Sequence, residues 1–303
     1  MKYTIALPVT KTRFLKETLE SIKNQSFQDF ELIIRNNGKD KKTKDEIESM
    51  VQSWLEKPNV KYFVSEQQLT MPQNFNQILD VATGEYFTVL SDDDLIEPDF
   101  LLEIDKLIEQ YKGVDVFHCR VIIIDENGEF SGISELCPEF ETQLDFVYHR
   151  ITSKRHFYLS DFVVKTSPLK DIGGFNEKCN GWGLDEITWS ILAKKGVAYA
   201  NQPLLKYRVF SGNHTLSKEN LKNRFLDNEI IYETQKKIIE EHPYPALYPK
   251  DFLLELNEKR KGKLNDLVFS QYSLSGSFFG KLGFYLRYQK NISIKSLIRN
   301  LAK

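Results

Sequence analysis

Three adjacent carboxylates stand out among the residues that could do chemistry: Asp92, Asp93 and Asp94. They close an apolar, β-prone run, Glu85-Tyr86-Phe87-Thr88-Val89-Leu90-Ser91. Val89 and Leu90 suit a buried strand, whereas three acids cannot be buried unpaired. Clustered carboxylate oxygens suit a hard divalent cation such as Mg²⁺ or Mn²⁺. A solvated turn or helix N-cap accounts for the same residues. In an open α/β sheet the carboxyl end of such a strand faces the ligand crevice.

The elements that must position these acids read as alternating strands and helices. Tyr3 to Val9 is an apolar run ended by Thr10, and Thr12 to Gln25 carries Phe14, Leu15, Leu19 and Ile22 at helical spacing. Phe30 to Arg35 predicts a second strand, closed by the turn Asn36-Asn37-Gly38. Lys41 to Leu55 predicts a helix, Val60 to Val64 a strand, and Pro72 to Val81 a helix with proline in its first turn. Glu85 to Ser91 is the fourth strand and Pro98 to Tyr111 the next helix. This order implies parallel strands with helical crossovers, a Rossmann-like half. Neither a GxGxxG nor a GxxxxGK[ST] stretch follows a strand, so dinucleotide and P-loop fingerprints are absent. Val114 to Ile124 is β-prone, and residues 130 to 160 read as irregular and aromatic. Phe162 to Lys165 reads as a strand, and a helix follows Asp185-Glu186 as far as Gly196. Val197 to Val209 reads as a strand pair or extended segment, and helices are expected from Lys218 onward.

The chain has 303 residues, 41% hydrophobic and 13% aromatic, enough for a sizeable core in one large domain or two ordinary ones. A formal net charge of -2 argues against a nucleic-acid binder. Cys119, Cys137 and Cys179 form neither a disulfide framework nor a zinc pattern, which fits a reducing compartment. The short N-terminal apolar run has no signal-peptide architecture, and no stretch approaches the ~20 apolar residues of a membrane span.

Several stretches, taken together and in order, resemble family 2 glycosyltransferases of the GT-A fold, of the bacterial surface-polysaccharide type. They are Ile5-Ala6-Leu7-Pro8-Val9-Thr10, Glu31 to Gly38, Asn74-Phe75-Asn76 with Ala82-Thr83-Gly84-Glu85-Tyr86, Leu90 to Asp94, Gly173-Gly174-Phe175-Asn176-Glu177, and Gly183-Leu184-Asp185-Glu186 running to Gly196. The match covers Tyr3 to about Leu216. It implies a GT-A domain over 1–217, with a nucleotide-sugar half (1–112) and an acceptor half (113–217), and a helical extension over 218–303. The implied reaction is inverting transfer of a sugar, UDP-sugar favoured, to a hydroxyl of a glycan or lipid-linked acceptor.

The resemblance also implies residue roles. Asp93 is the first metal ligand for Mn²⁺ or Mg²⁺, Asp92 contacts ribose or metal, and Asp94 supports either. Ser91 stands where relatives carry an acid. Pro8, Val9 and Thr10 wall the base, Asn36 and Asn37 replace the usual acids beside it, and Asn74 reaches the nucleotide. Asn36 and Asn37 also read simply as a turn. An inverting transfer needs a general base. Spacing to Gly196 favours Asp185, with Glu186 the alternative and an N-cap pair the plain structural reading. Trp182 is a candidate sugar-stacking ring or a core residue. Arg208 is a candidate for diphosphate charge, and His214 for the metal. Rival readings are a sugar nucleotidyltransferase, which would want a glycine-rich loop where Thr10-Lys11-Thr12-Arg13 has none, and a catalytically inactive nucleotide-sugar-binding module.

From Glu258 to Lys303 ten Lys or Arg residues face two acids, Glu258 and Asp266. Aromatic and aliphatic residues interleave with them. Peripheral contact with an anionic membrane and a packing or homodimer face are both open readings of this segment. The resulting expectation is a cytoplasmic enzyme, with or without peripheral contact to the inner face of the cell membrane.

Overall fold

The structure is a computed structural model, and it describes residues 1–212, 221, 223–243, 247–274 and 277–301. The elements alternate as expected through the first half: β1 (Tyr3–Val9), α1 (Leu15–Lys23), β2 (Phe30–Asn36), α2 (Lys41–Val51), β3 (Val60–Val64), α3 (Met71–Val81), β4 (Tyr86–Val89), β5 (Leu95–Ile96) and α4 (Phe100–Gln110). There follow β6 (Val116–Ile124), β7 (Phe130–Ile133), β8 (Phe140–Glu141), α5 (Gln143–Ile151), β9 (Phe162–Lys165), α6 (Thr166–Asp171), α7 (Leu184–Leu192) and β10 (Val197–Arg208). The last helices are α8 (Asn223–Glu241), α9 (Lys250–Ser273), α10 (Phe278–Tyr288) and α11 (Ile294–Leu301).

One mixed sheet runs in the order β3-β2-β1-β4-β9-β6-β10-β5. β3, β2, β1 and β4 are parallel, β9 is antiparallel to both β4 and β6, and β6 is parallel to β10. Successive residues of a strand point to opposite faces. Ile5, Leu7 and Val9 therefore enter one core with α1, α2 and α4, whereas Ala6 enters the other with α3 and α7. Burial on both faces explains why β1 reads as an unbroken apolar run. The strand order reverses between β1 and β4, and ligands in open α/β sheets bind at such a switch point, outside the carboxyl ends.

One expectation for the second half is corrected and one pair of alternatives is decided. Residues 130–160 are not irregular throughout, because α5 forms there. Thr142 accepts from the Asp145 amide at its start, and Leu144, Phe146, Val147 and Ile151 are buried. Its aromatic neighbours obscured that helical spacing. Residues 197–208 form a single extended strand, one of the two readings of that segment, with register irregularities on either side of Pro203, which has no amide to donate. Helices α8 and α9 pack against the second half of the chain. Ile231 of α8 joins the core around α7, and Ile239 and Leu253 pack with Leu144, Val147 and Ile151. The expected boundary at 217/218 lies outside the described residues.

Candidate active site

The loops that leave β1 and β4 meet at the switch point. Asp92 Oδ2 accepts from the Thr10 amide (2.6 Å), the Thr10 hydroxyl (3.0 Å) and the Lys11 amide (2.9 Å). Asp94 Oδ2 accepts from Ser160 Oγ at 2.7 Å, and its Oδ1 from the Arg208 amide at 3.1 Å. Each flanking acid thus fastens the β4 loop to a different element, β1 on one side and β9 and β10 on the other. The carboxylate of Asp93, between them, meets the ammonium of Lys11 at 3.3 Å and no other side chain among the described residues. Burial raises the pKa of Asp92, with Asp93 adding to it. Burial and then Asp93 push Asp94 up to about 8.

These donors suit a divalent cation. Asp92 keeps Oδ1 out of the bonds to β1, the Asp93 carboxylate takes no backbone hydrogen bond among the described residues, and the Lys11 ammonium already stands against Asp93. Hard carboxylate oxygens in that arrangement match Mn²⁺ or Mg²⁺. Among the described residues no group of three His, Cys, Asp or Glu forms a closed cage. Asp92 and Asp93 would therefore hold the ion on one side, with ligands from outside the protein on the other. His214 lies outside the described residues.

The side chains expected around the nucleotide are less open than their positions suggested. Pro8 and Val9 are buried within β1, and the Val9 carbonyl accepts from the Asn37 amide. Asn36 donates to the Lys44 carbonyl and the Tyr62 hydroxyl and accepts from the Gly38 amide. Asn37 pairs through both its amide atoms with the backbone of Leu69. Asn36 closes the turn onto Gly38 and ties it to α2 and β3, and Asn37 ties it to the loop before α3. Asn74 differs: it is buried, and its Oδ1 has no partner. Such an orphaned acceptor is costly in a finished core and points to a missing donor.

Arg208 does not face an open cleft. It is buried, with its guanidinium 4.2 Å from the Phe14 ring centre. Nε donates to the Asp93 carbonyl at 3.1 Å and Nη2 to Glu17 at 2.6 Å. Its described contacts brace the acid loop from behind.

The second acid pair opens α7. Gly183, at φ 68°, starts the helix in the left-handed region. A Cβ there would lie 2.4 Å from Ile231 of α8, so both conformation and space require glycine. The loop before it hangs on α8. Asp227 accepts from the amides of Asn180 and Trp182, and the Trp182 indole donates to Asn228. Arg224 covers the Trp182 ring at 4.5 Å. Trp182 is thus a half-buried packing residue with one face taken, unlike a free stacking platform.

The two acids then diverge. Glu186 is buried and receives Arg150 Nε (2.7 Å), Arg260 Nη1 and Nη2 (2.6 and 2.9 Å) and Gln235 Nε2 (2.6 Å). Burial alone would raise its pKa, but the two guanidiniums outweigh it and hold the carboxyl at about 2. Asp185 is half-buried, and among the described residues no side chain hydrogen-bonds to it. Desolvation raises its pKa, opposed first by the charge of Arg150.

A short turn, Leu159–Asp161, links the two acid groups. Ser160 bonds to Asp94, while buried Asp161 carries Asp185 among the charges that raise its own pKa. Asp161 also faces His118 at 3.4 Å, and Arg155 meets the other His118 nitrogen at 3.2 Å. Lys11, Arg150, Ser160, Asp161 and Arg260 carried no sequence signal for this site. Their role depends on contacts between residues 36 to 82 positions apart. Only the basic loop Thr10 to Arg13, directly after β1, offered a hint.

Comparisons with known proteins agree with this arrangement. The sequence model described as Glycosyl transferase family 2 matches residues 6–168, more than half of the chain. The chain is 30% identical over 213 residues to an uncharacterized glycosyltransferase of Methanocaldococcus jannaschii, covering 68% of this chain and 69% of that protein. It is 29% identical over 218 residues to the GalNAc(5)-diNAcBac-PP-undecaprenol beta-1,3-glucosyltransferase of Campylobacter jejuni, covering 69% and 65%. Among solved structures, S. aureus TarS 1–349 superposes with a TM-score of 0.66 at 17% identity, covering 99% of this chain and 89% of that one. The same fold is recorded with UDP-GlcNAc, at a TM-score of 0.59. No helix among the described residues is long and apolar enough to cross a membrane. With the family model and the relatives in agreement, the chain belongs to glycosyl transferase family 2 and is a glycosyltransferase of the GT-A fold.

Proposed function

We propose that this glycosyltransferase moves a sugar from a UDP-sugar to a hydroxyl of a glycan or lipid-linked acceptor, with inversion, and that Asp185 is the base. The observation that carries the reading is the contrast between neighbours. Glu186 is held ionised between two arginines at a pKa of about 2, too low for proton abstraction. Asp185 has no side-chain donor among the described residues and a raised pKa, which suits a general base. The relatives support the substrate classes. One is named for a glucosyl transfer onto an undecaprenol-linked glycan, and a protein of the same fold binds UDP-GlcNAc.

Residues 1–112 form the donor half in this reading, and 113–217 the acceptor half. The helices beyond 218 are part of the catalytic body, since Arg260 and Gln235 clamp the neighbour of the base. Asp92 and Asp93 hold Mn²⁺ or Mg²⁺, which when bound stabilises the charge developing on the leaving diphosphate. Lys11, mobile on its long stem, supplies a second positive charge beside the diphosphate. Asp94 and Arg208 position the loop, and Asn74 Oδ1 takes a donor from the nucleotide. Asp185 accepts the proton of the acceptor hydroxyl as that oxygen attacks the anomeric carbon. In chemical terms one C–O bond forms, the sugar–phosphate bond breaks, and the nucleoside diphosphate leaves without a covalent glycosyl-enzyme.

The test is a thermal-shift screen of nucleoside diphosphates with and without Mn²⁺, followed by donor consumption with UDP-glucose and UDP-GlcNAc. Ligand binding raises the melting temperature in step with affinity. A Mn²⁺-dependent shift for UDP over GDP is expected. An equal shift for both bases, or none with metal, overturns the donor assignment.

A further inference from the structure

The last two helices turn apolar side chains toward water. On α11 the buried positions are polar, with Ser296 and Asn300 each 2% exposed, while Ile294 and Ile298 stand 66% and 63% exposed. The buried polar face is satisfied internally. Ser270 donates to Asn300 Oδ1, Asn300 Nδ2 donates to the Ser296 carbonyl, and Lys281 donates to the Asn300 carbonyl. The orientation is thus fixed by hydrogen bonds, not by burial of the isoleucines. α10 repeats the pattern. Phe284 faces the local core with Phe225 and Phe269, and the opposite stripe carries Phe279, 82% exposed, and Leu286, 56% exposed, with Leu282 half-buried between them.

Charge is distributed to match. No Asp or Glu occurs after Asp266, whereas Lys281, Arg287, Lys290, Lys295 and Arg299 lie on or beside these two helices. Lys295 and Arg299 each follow an exposed isoleucine by one residue and are themselves exposed. Apolar side chains flanked by cations and free of acids complement a surface that is anionic outside and hydrocarbon beneath. A second copy fits less well, because a two-fold contact would set these cations against themselves.

We infer that the exposed face of α10 and α11, through Phe279, Leu286, Ile294 and Ile298 with Lys295 and Arg299, docks on an anionic phospholipid surface. This goes beyond the catalytic reading and does not depend on it. Truncation is the wrong test, since Arg260, which clamps Glu186, precedes this segment by few turns and a cut near it would disturb the α7 site.

The experiment is co-sedimentation of the full chain with vesicles of phosphatidylcholine alone and of equimolar phosphatidylcholine and phosphatidylglycerol. Three proteins are compared: wild type, Ile294→Ser with Ile298→Ser, and Lys295→Glu with Arg299→Glu. Wild type is expected to pellet with the anionic vesicles only, and to be released by high salt. Reversing two surface cations weakens binding by at least about thirtyfold, and the serine pair by at least about tenfold. The nucleotide-induced thermal shift of each variant, expected to match wild type, shows that the fold is kept. Three outcomes overturn the inference: no preference of wild type for anionic vesicles, binding that survives both substitutions, or a dimer in sedimentation velocity that the serine pair dissolves without any vesicle binding.

Discussion

Asp94 and Glu186 are both almost completely buried acids beside a second acid, yet their environments drive them in opposite directions. Asp94 has Asp93 beside it, neutral donors from Ser160 and the Arg208 amide, and a carboxyl pushed up to about 8. Glu186 has Arg150 and Arg260 against its two oxygens and is held at about 2. Burial penalises charge in both places. The difference is whether a guanidinium reaches the carboxylate or only its backbone does. At β4 the arginine side chain is turned to the Asp93 carbonyl and Glu17, which leaves the acid loop rich in negative charge and receptive to a cation. At α7 two arginines pair with one acid, Glu186, and the acid beside it, Asp185, is the one proposed as base.

The largest effect that would break this contrast is at Asp185. Asp185→Asn is expected to lower kcat by about 10²–10⁴ with UDP binding retained, read from donor consumption alongside thermal shift. Unchanged turnover in that variant would remove Asp185 from the chemistry. Next comes the clamp. Arg260→Met leaves Glu186 short of a partner and should cost about 3–5 kcal/mol in a denaturant melt. Arg260→Lys should recover part of that loss, because a charge returns without the paired geometry.

Acid titration sharpens the comparison further. The folded pKa of Glu186 lies below its unfolded value of about 4.5. Its contribution is therefore full above about pH 4.5 and is lost as pH falls toward 2, amounting to roughly 3 kcal/mol. Stability curves of wild type and Glu186→Gln between pH 5 and pH 2, limits set by about those pKa values, should differ in slope, the variant lacking this share. Equal slopes would mean that Glu186 is not held ionised. The smallest effect belongs to Lys11, whose ammonium is partly exposed against Asp93. Lys11→Met should change apo stability by less than about 1 kcal/mol, seen as a small shift in melting temperature. A large loss there would show that the acid loop depends on its cation as strongly as Glu186 depends on its arginines.

Much of the frame was legible from residue order alone. The β-α alternation through Gln110, the proline-led helix α3 and the strand that ends in Asp92 to Asp94 follow from local periodicity and turn residues, which act over a few positions. The helix α5 was hidden because its aromatic residues resemble those of the loop around it. Asn36 and Asn37 carried two meanings, turn or base contact, and the described hydrogen bonds to Lys44, Tyr62 and Leu69 tie that turn to neighbouring elements, which no local pattern announces. Trp182 was equally ambiguous until α8 covered it.

The sequence by itself determined that an α/β sheet would carry three acids to a strand end, and that two more would open a helix near Gly196. These are short-range facts of patterning and spacing. Which acid keeps its proton, which is neutralised, and which is left facing a substrate was decided only in three dimensions. Arg150 lies 36 residues and Arg260 74 residues from Glu186, and Arg208 115 from Asp93. Electrostatic character depends on distance in space and on the water removed between charges, and neither quantity is written along a chain.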